Sequence, residues 1–263
     1  MRRHLIAFDL EATCWRQPPL SEHQATETEI IEIGAVRMHP VTREEESRFE
    51  MVVQPTRHTI LSPYCIELTG LQQADVRDAP EFAEAWGCFH RWLGDASACE
   101  MVSWGPFDIQ QIGRQITELG EDLPDWQYTD GQSEYTRWCR ARELHGRSRK
   151  LTTVAHDLEL STGETQHRAL ADAARLAQVI RRLRDPSERT SGADALFKLL
   201  HRRLQEPTHR GHARRELGMN KGEFTAAANE LLHLHLAIDL GDGQGLCLSP
   251  ETPTLEKNSP TLS

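Results

Sequence analysis

The sequence predicts an α/β domain, a mixed sheet flanked by helices, with a small and mainly helical domain behind it. Three features carry that prediction. β-rich runs crowd the N-terminal segment, amphipathic helices alternate with short strands through the middle, and Asp185-Pro186-Ser187 breaks the last helix of the pattern. Hairpin-like strands first and alternation afterwards is the element order of a mixed sheet.

The elements follow in order. His4–Ala12 opens on Leu5-Ile6-Ala7-Phe8, an apolar run suited to a buried strand. Ile30–Met38 and Arg48–Gln54 are two more β-rich runs, with Pro18-Pro19 and Pro40 as turn signals. In Glu81–Leu93, Phe82, Trp86, Phe89 and Leu93 recur at helical spacing and form one apolar face. Cys99–Trp104 reads as a short strand, Asp108–Leu119 as a helix, and Leu151–Leu160 and Arg168–Leu183 as two further amphipathic helices. The domain is placed at residues 1–185.

Residues 190–248 differ in character. Asp194–Leu204, His209–Leu217 and Lys221–Leu236 read as helices. Ala237–Leu248 holds two apolar runs around Gly241-Asp242-Gly243-Gln244-Gly245, a hairpin signal. Three helices and a hairpin is the order of a winged helix-turn-helix, so a small winged-helix-like domain is expected. The Ser/Thr/Pro-rich tail 249–263 is expected to be disordered.

A hydrophobic fraction of 38% with 27% charged residues fits a globular chain with a sizeable core. No apolar run approaches the roughly 18 residues of a membrane span. The N-terminus passes from a short apolar stretch straight into acidic residues, unlike a signal peptide, which points to a cytoplasmic chain. Six cysteines without a CxxC pair fit isolated thiols better than a zinc cluster. The net charge of −10 argues against wrapping duplex DNA with a uniformly basic surface. Charge is local, however: residues 137–150 carry six Lys/Arg against one Glu. That segment reads either as a phosphate contact or as a solvated basic face.

Asp9-Leu10-Glu11 lies at the end of the first strand, where alternation sends both carboxylates to one side. Two adjacent acids repel unless a cation lies between them, so the pair is a candidate divalent-metal seat. Asp108 and Asp172 each stand early in a helix, where an acid also serves simply as a dipole partner. His167 alone would be an ordinary loop histidine. Together, four carboxylates and a histidine are the ingredients of two-metal phosphodiester hydrolysis, with the histidine able to take a proton from water near neutral pH.

The segments FDLEATCW (8–15), EIIEIGAV (29–36), ILSPYCIELTGLQQADV (60–76), SWGPFDIQQI (103–112) and HRALADA (167–173) occur in that order. With them the chain resembles the DEDDh branch of the RNase T and DNA polymerase III proofreading exonucleases over about residues 4–184. Within that branch, the Cys after Glu-Ala-Thr and the CIELTG segment look like the Eri-type histone-mRNA 3′-end exonucleases. The resemblance implies a ribonuclease H-like sheet, Asp9, Glu11, Asp108 and Asp172 as ligands of two Mg²⁺ or Mn²⁺ ions, and His167 as general base. A sister branch carries a tyrosine four residues before the last acid. Here that position is Arg168, which selects the histidine branch.

Tyr64 and Phe107 align with aromatic positions that flank terminal nucleotides in relatives, and Thr69 and Gly70 are read as lining the same channel; for both rings, a place in the core is the other reading. The implied activity is 3′→5′ removal of mononucleotides from single-stranded nucleic acid with a free 3′ end, RNA favoured over DNA. Two other readings stand beside it: a proofreading subunit of a DNA polymerase, and a non-catalytic nucleic-acid-binding adaptor, which the presence of all five residues disfavours. Segment 190–263 has eight Lys/Arg and nine Asp/Glu, so its domain is read equally as a nucleic-acid contact or a protein-docking module. Nothing in the sequence specifies an oligomeric state.

Overall fold

Strand alternation sets the architecture of the N-terminal part. In the computed structural model the described residues are 3–16, 28–142, 144, 150–160, 168–185, 187, 189–203, 206–234, 236–241 and 245–249. They divide into two compact units, one of Met1–Arg140 with His145–Leu183, the other of Ala141–Leu144 with Arg184–Ser263.

In the first unit, strand β1 (His4–Ala12) pairs antiparallel with β2 (Ile30–Met38), which pairs antiparallel with β3 (Glu45–Val52). On its other side β1 runs parallel to β4 (Cys99–Ser103), and β4 parallel to β5 (Gln127–Asp130). The result is a mixed five-stranded sheet in the order β3-β2-β1-β4-β5. Helices α1 (Pro63–Thr69), α2 (Gln73–Arg77), α3 (Phe82–Leu93), α4 (Phe107–Glu118), α5 (Gly131–Ala141), α6 (Leu151–Asp157) and α7 (Ala169–Leu183) follow the chain around it.

Each face of the sheet has its own core. Leu5 and Ala7 of β1 pack with Leu176, Val179 and Ile180 of α7 and with Val154 of α6. Ile6, Phe8 and Leu10 point the other way, against Trp86 and Phe89 of α3 and Ile112 and Ile116 of α4. The near-continuous apolar run of β1 is thus explained by burial on both sides. Period 2 then puts Asp9 and Glu11 on the α7 face, in line with Leu5 and Ala7.

The mixed sheet flanked by helices agrees with the expectation. β3 begins and ends earlier than the expected Arg48–Gln54, because its Glu45, Glu46 and Arg48 belong to a polar edge strand whose outer face is solvated. Among the described residues, α1, α2, β5, α5 and a single 3-10 turn at Ala96–Ala98 have no counterpart in the expectation. α1 is too short for periodicity, yet its start is signalled by Ser62 accepting the Cys65 N–H at 3.0 Å with Pro63 next in line. β5 is a short edge strand of polar residues.

The second unit holds α8 (Ser191–Arg202), α9 (Arg210–Glu216), α10 (Lys221–His233) and the antiparallel pair β6 (Ala237–Asp239) and β7 (Leu246–Leu248). Its core joins Leu196, Phe197 and Leu200 of α8 to Phe224 and Leu231 of α10 and to Leu246 and Leu248 of β7. α10 starts with a capping box in which Asn220 accepts from Glu223 N–H and Glu223 accepts from Asn220 N–H. Gly241 and Gly245 have φ of 67° and 99°, the left-handed values a tight connection requires; residues 242–244 lie outside the described residues. Ser249 is buried and donates its N–H to Leu236 O at 3.0 Å, while the rest of the tail, 250–263, lies outside the described residues. Among the described residues no helix is long and apolar enough to cross a membrane.

Candidate active site

Asp9, Glu11 and Asp172 each bring a carboxylate oxygen to one place, with those atoms all within 4.8 Å of one another. The first two come from alternate positions of β1 and the third from the first turn of α7. What presses α7 onto the strands is a missing side chain. Gly34 of β2 pairs with Asp9, and a Cβ on it would lie 2.1 Å from both the Ala169 carbonyl carbon and the Leu170 nitrogen. Only glycine lets the helix backbone come that close.

Asp108 adjoins this trio from the opposite face. β4 ends at Ser103, and its pairing with β1 stops at Ala7↔Val102, so the Leu10 N–H runs past the end of its neighbour. Asp108 accepts that N–H at 3.2 Å, satisfying a buried donor. The turn that delivers Asp108 is fixed in its turn: Gly105 has φ 99°, and its carbonyl accepts from Ser103 Oγ at 2.6 Å and Tyr128 OH at 2.9 Å.

Two guanidiniums support the acids. Arg175, buried one helical turn on, pairs with Asp172. Arg168 turns to Glu32 of β2, at 2.6 Å, rather than toward the cluster. Glu32 is wholly buried and also accepts the Ala169 N–H at 2.9 Å. Glu32, Gly34 and Arg175 escaped the sequence reading. A glutamate and a glycine inside the apolar run of β2 were the available signal.

The electrostatics are those of crowded acids. Burial raises the Asp9 carboxyl well above the usual carboxylate range, and Asp108, Glu11, Asp172 and Glu32 add to the effect. Glu11 is pushed up to about 8 by burial, then by Glu32, Asp172 and Asp108. Asp108 rises to about 7 through burial, against the Leu10 hydrogen bond that lowers it. At neutral pH such a cluster holds protons that a divalent cation can displace, and an all-oxygen donor set suits Mg²⁺ or Mn²⁺.

The other expected site residues are placed as follows. His167 lies outside the described residues. Phe107, 52% exposed, stands next to Asp108 on α4. Tyr64 is half-buried in the first turn of α1, with the Arg16 guanidinium 5.5 Å from its ring centre. α1 abuts the end of β1: Ser62 Oγ donates to Cys14 O at 2.6 Å, and Cys65 Sγ lies 3.8 Å from Ala12 O. Both rings therefore sit on elements that hydrogen-bond to the last residues of β1 or just beyond. Thr69 is buried, its hydroxyl donating to Cys65 O at 2.9 Å and accepting from Leu71 N–H at 3.2 Å, the work of a helix terminus. Gly70 caps α1 in the left-handed conformation and is exposed. The basic stretch 137–150 is described only in part.

The family model RNase T: Exonuclease matches residues 6–180. ERI1 exoribonuclease 2 of Danio rerio is 28% identical over 203 residues, covering 68% of this chain and 34% of the relative. The chain thus spans about a third of the length of that relative. The 3′-5′ exonuclease Snipper of Drosophila melanogaster is 27% identical over 197 residues, 67% of this chain and 68% of its own. Among solved structures, the nuclease domain of 3′hExo, a DEDDh family member bound to rAMP, has a TM-score of 0.61 at 24% identity, covering 71% of this chain and 94% of that one. That likeness is one of fold. With the family model matched over residues 6–180, about two thirds of its length, the chain belongs to the RNase T exonuclease family.

Proposed function

We propose that this chain is a metal-dependent 3′→5′ exonuclease that releases nucleoside monophosphates from single-stranded nucleic acid, RNA in preference to DNA. The observation that carries it is the convergence of the Asp9, Glu11 and Asp172 carboxylates within 4.8 Å beside Asp108. These four acids would hold two Mg²⁺ or Mn²⁺ ions. Bound there, such cations supply charge stabilisation to the attacking and leaving oxygens of an in-line displacement. His167, next to Arg168 in the chain, takes the proton from the attacking water, a role that suits an imidazole because its unperturbed pKa lies near neutrality. Phe107 and Tyr64 stack on the terminal bases, and a stack on an exposed ring accepts any base.

Support for RNA comes from relatives: an exoribonuclease by name, and a nuclease domain of this fold with rAMP bound. In the same proposal residues 1–185 are the exonuclease domain and residues 190–248 a winged-helix-like domain, supported by the order of three helices and an antiparallel pair. With eight Lys/Arg against nine Asp/Glu over 190–263, that domain gains little from phosphate attraction, which fits docking as well as nucleic-acid contact.

The test is a single strand labelled at either end, RNA and DNA in parallel, with Mg²⁺ or Mn²⁺. Stepwise shortening from the 3′ end, lost with chelator and in Asp9→Ala, is the expected result. Without mononucleotide release under either metal the proposal fails; equal rates on RNA and DNA would remove its RNA preference. His167→Ala should lower kcat by roughly 10²–10⁴-fold.

A further inference from the structure

Glu32 is a carboxylate with no exposure, set opposite Glu11 in the β1–β2 register. Placing it there costs desolvation and adds one more negative charge to a cluster that already repels itself. Its partners show what the position provides. One oxygen accepts the Ala169 N–H at 2.9 Å, one of the first-turn donors that a helix leaves unpaired. The guanidinium of Arg168 grips both oxygens, Nε at 2.9 and 3.2 Å and a terminal nitrogen at 2.6 Å, and extends to Glu50 of β3 at 3.2 Å. Two residues along β2, Gly34 carries the backbone of Ala169 and Leu170 directly on it.

The start of α7 is therefore fixed to β2 at adjoining points, by charge-assisted hydrogen bonds and by backbone contact. Asp172 lies in that same turn, its N–H donating to Arg168 O at 3.0 Å. Any slip of the helix start moves Asp172 away from Asp9 and Glu11.

We infer that Glu32 and Arg168 form a positioning pair that locks α7 to β2 and so sets the affinity of the Asp9–Glu11–Asp172 cluster for divalent cation. Neither residue touches substrate in this scheme. The inference takes from the exonuclease proposal only that the cluster binds cations. It differs from a purely electrostatic effect in sign. If only charge mattered, removing Arg168 would tighten cation binding, and Glu32→Gln would be as damaging as Glu32→Ala. A positioning pair behaves otherwise: loss of either partner weakens binding, and Gln, which still offers an oxygen to the Ala169 N–H, restores most of it.

The experiment compares full-length wild type with Glu32→Ala, Glu32→Gln and Arg168→Gln. Mn²⁺ binding is read from the electron paramagnetic resonance of the free ion, alongside metal-free melting and kcat and KM on a 3′-labelled strand. Glu32→Ala should weaken Mn²⁺ binding and lower kcat by about ten- to a hundred-fold, with KM for the strand changed by no more than about two-fold. Arg168→Gln should shift both in the same direction by less, and Glu32→Gln should lie near wild type. Should Glu32→Ala not fold, Arg168→Gln and Glu32→Gln decide the matter. Tighter or unchanged Mn²⁺ binding in folded Arg168→Gln, or equal losses in Glu32→Gln and Glu32→Ala, would overturn the inference. Failure of the wild type to shorten any strand would instead remove the exonuclease proposal, leaving the Mn²⁺ titrations to judge the pair.

Discussion

Glu11 and Glu32 stand directly opposite each other across β1 and β2, two like charges at a spacing where cross-strand side chains meet. The fold tolerates this because Glu32 is neutralised from behind by Arg168, while Glu11 carries its excess as proton affinity, raised to about 8. The cluster is thus built under electrostatic tension that a bound cation would relieve.

That tension gives the metal-free protein an unusual dependence on pH. Asp9, Glu11 and Asp108 all have folded pKa values above their unfolded ones. The folded state therefore binds more protons than the unfolded chain between the ordinary carboxylate range and about pH 8, and stability falls as pH rises through that window. Melting in chelator should drop between about pH 5.5 and 8.5, and Mg²⁺ or Mn²⁺ should abolish the drop. A melting temperature that climbs with pH in chelator would contradict these proton affinities.

At the alkaline end of that window, where the cluster is ionised, Asp9→Asn removes one repelling charge without changing shape. The variant should melt higher than wild type in chelator, since a crowded functional site is held at a cost in stability. Its kcat should fall by roughly a hundred- to thousand-fold, the consequence of losing several kcal/mol of charge stabilisation. Scanning calorimetry and a single-turnover assay check the two halves separately.

Gly34→Ala makes a Cβ collide with the backbone of α7 rather than with a pliable side chain. Overpacking of this kind costs about 1–3 kcal/mol or more. Urea denaturation should show that loss, accompanied by weaker Mn²⁺ binding because Asp172 moves with its helix. An Ala variant with unaltered midpoint and Mn²⁺ affinity would show that the helix start has room to yield.

Phe107→Ala tests stacking. The ring is half exposed, so its removal should leave the melting temperature unaffected. Loss of a base stack of about 1–3 kcal/mol should raise KM by roughly 5- to 160-fold for RNA and DNA alike. A KM that stays at the wild-type value would place the terminal base elsewhere.

Parts of this were legible in the sequence for definite reasons. β1 and β2 were bounded correctly because both are buried on two faces and read as apolar runs. Alternation alone puts Asp9 and Glu11 on one side of β1, and the ordered motifs make that pair part of a site. Asp108 and Asp172 were different, since each had a sufficient explanation as a helix-start acid, and only the ordered motifs joined them to β1. Glu32 lay in plain view within IIEIGAV, where a charge among buried residues demands a partner, yet nothing local says that the partner is Arg168. β5 stays hidden for want of length and apolar content, and α1 for want of length. For Thr69 the structure adds what no motif states: its hydroxyl donates to Cys65 O and accepts from Leu71 N–H at the end of α1.

The hydrogen bond from Ala169 N–H to Glu32 joins residues 137 positions apart. Contacts of that separation form late, because a long loop must close before they return anything. Until α7 docks, a growing chain carries Asp9, Glu11 and Asp108 without Asp172. Hydrolytic competence, on the function proposed, would then arrive only with the last helix of the unit. The order of folding thus keeps the acid set incomplete in any growing chain whose α7 has not yet docked.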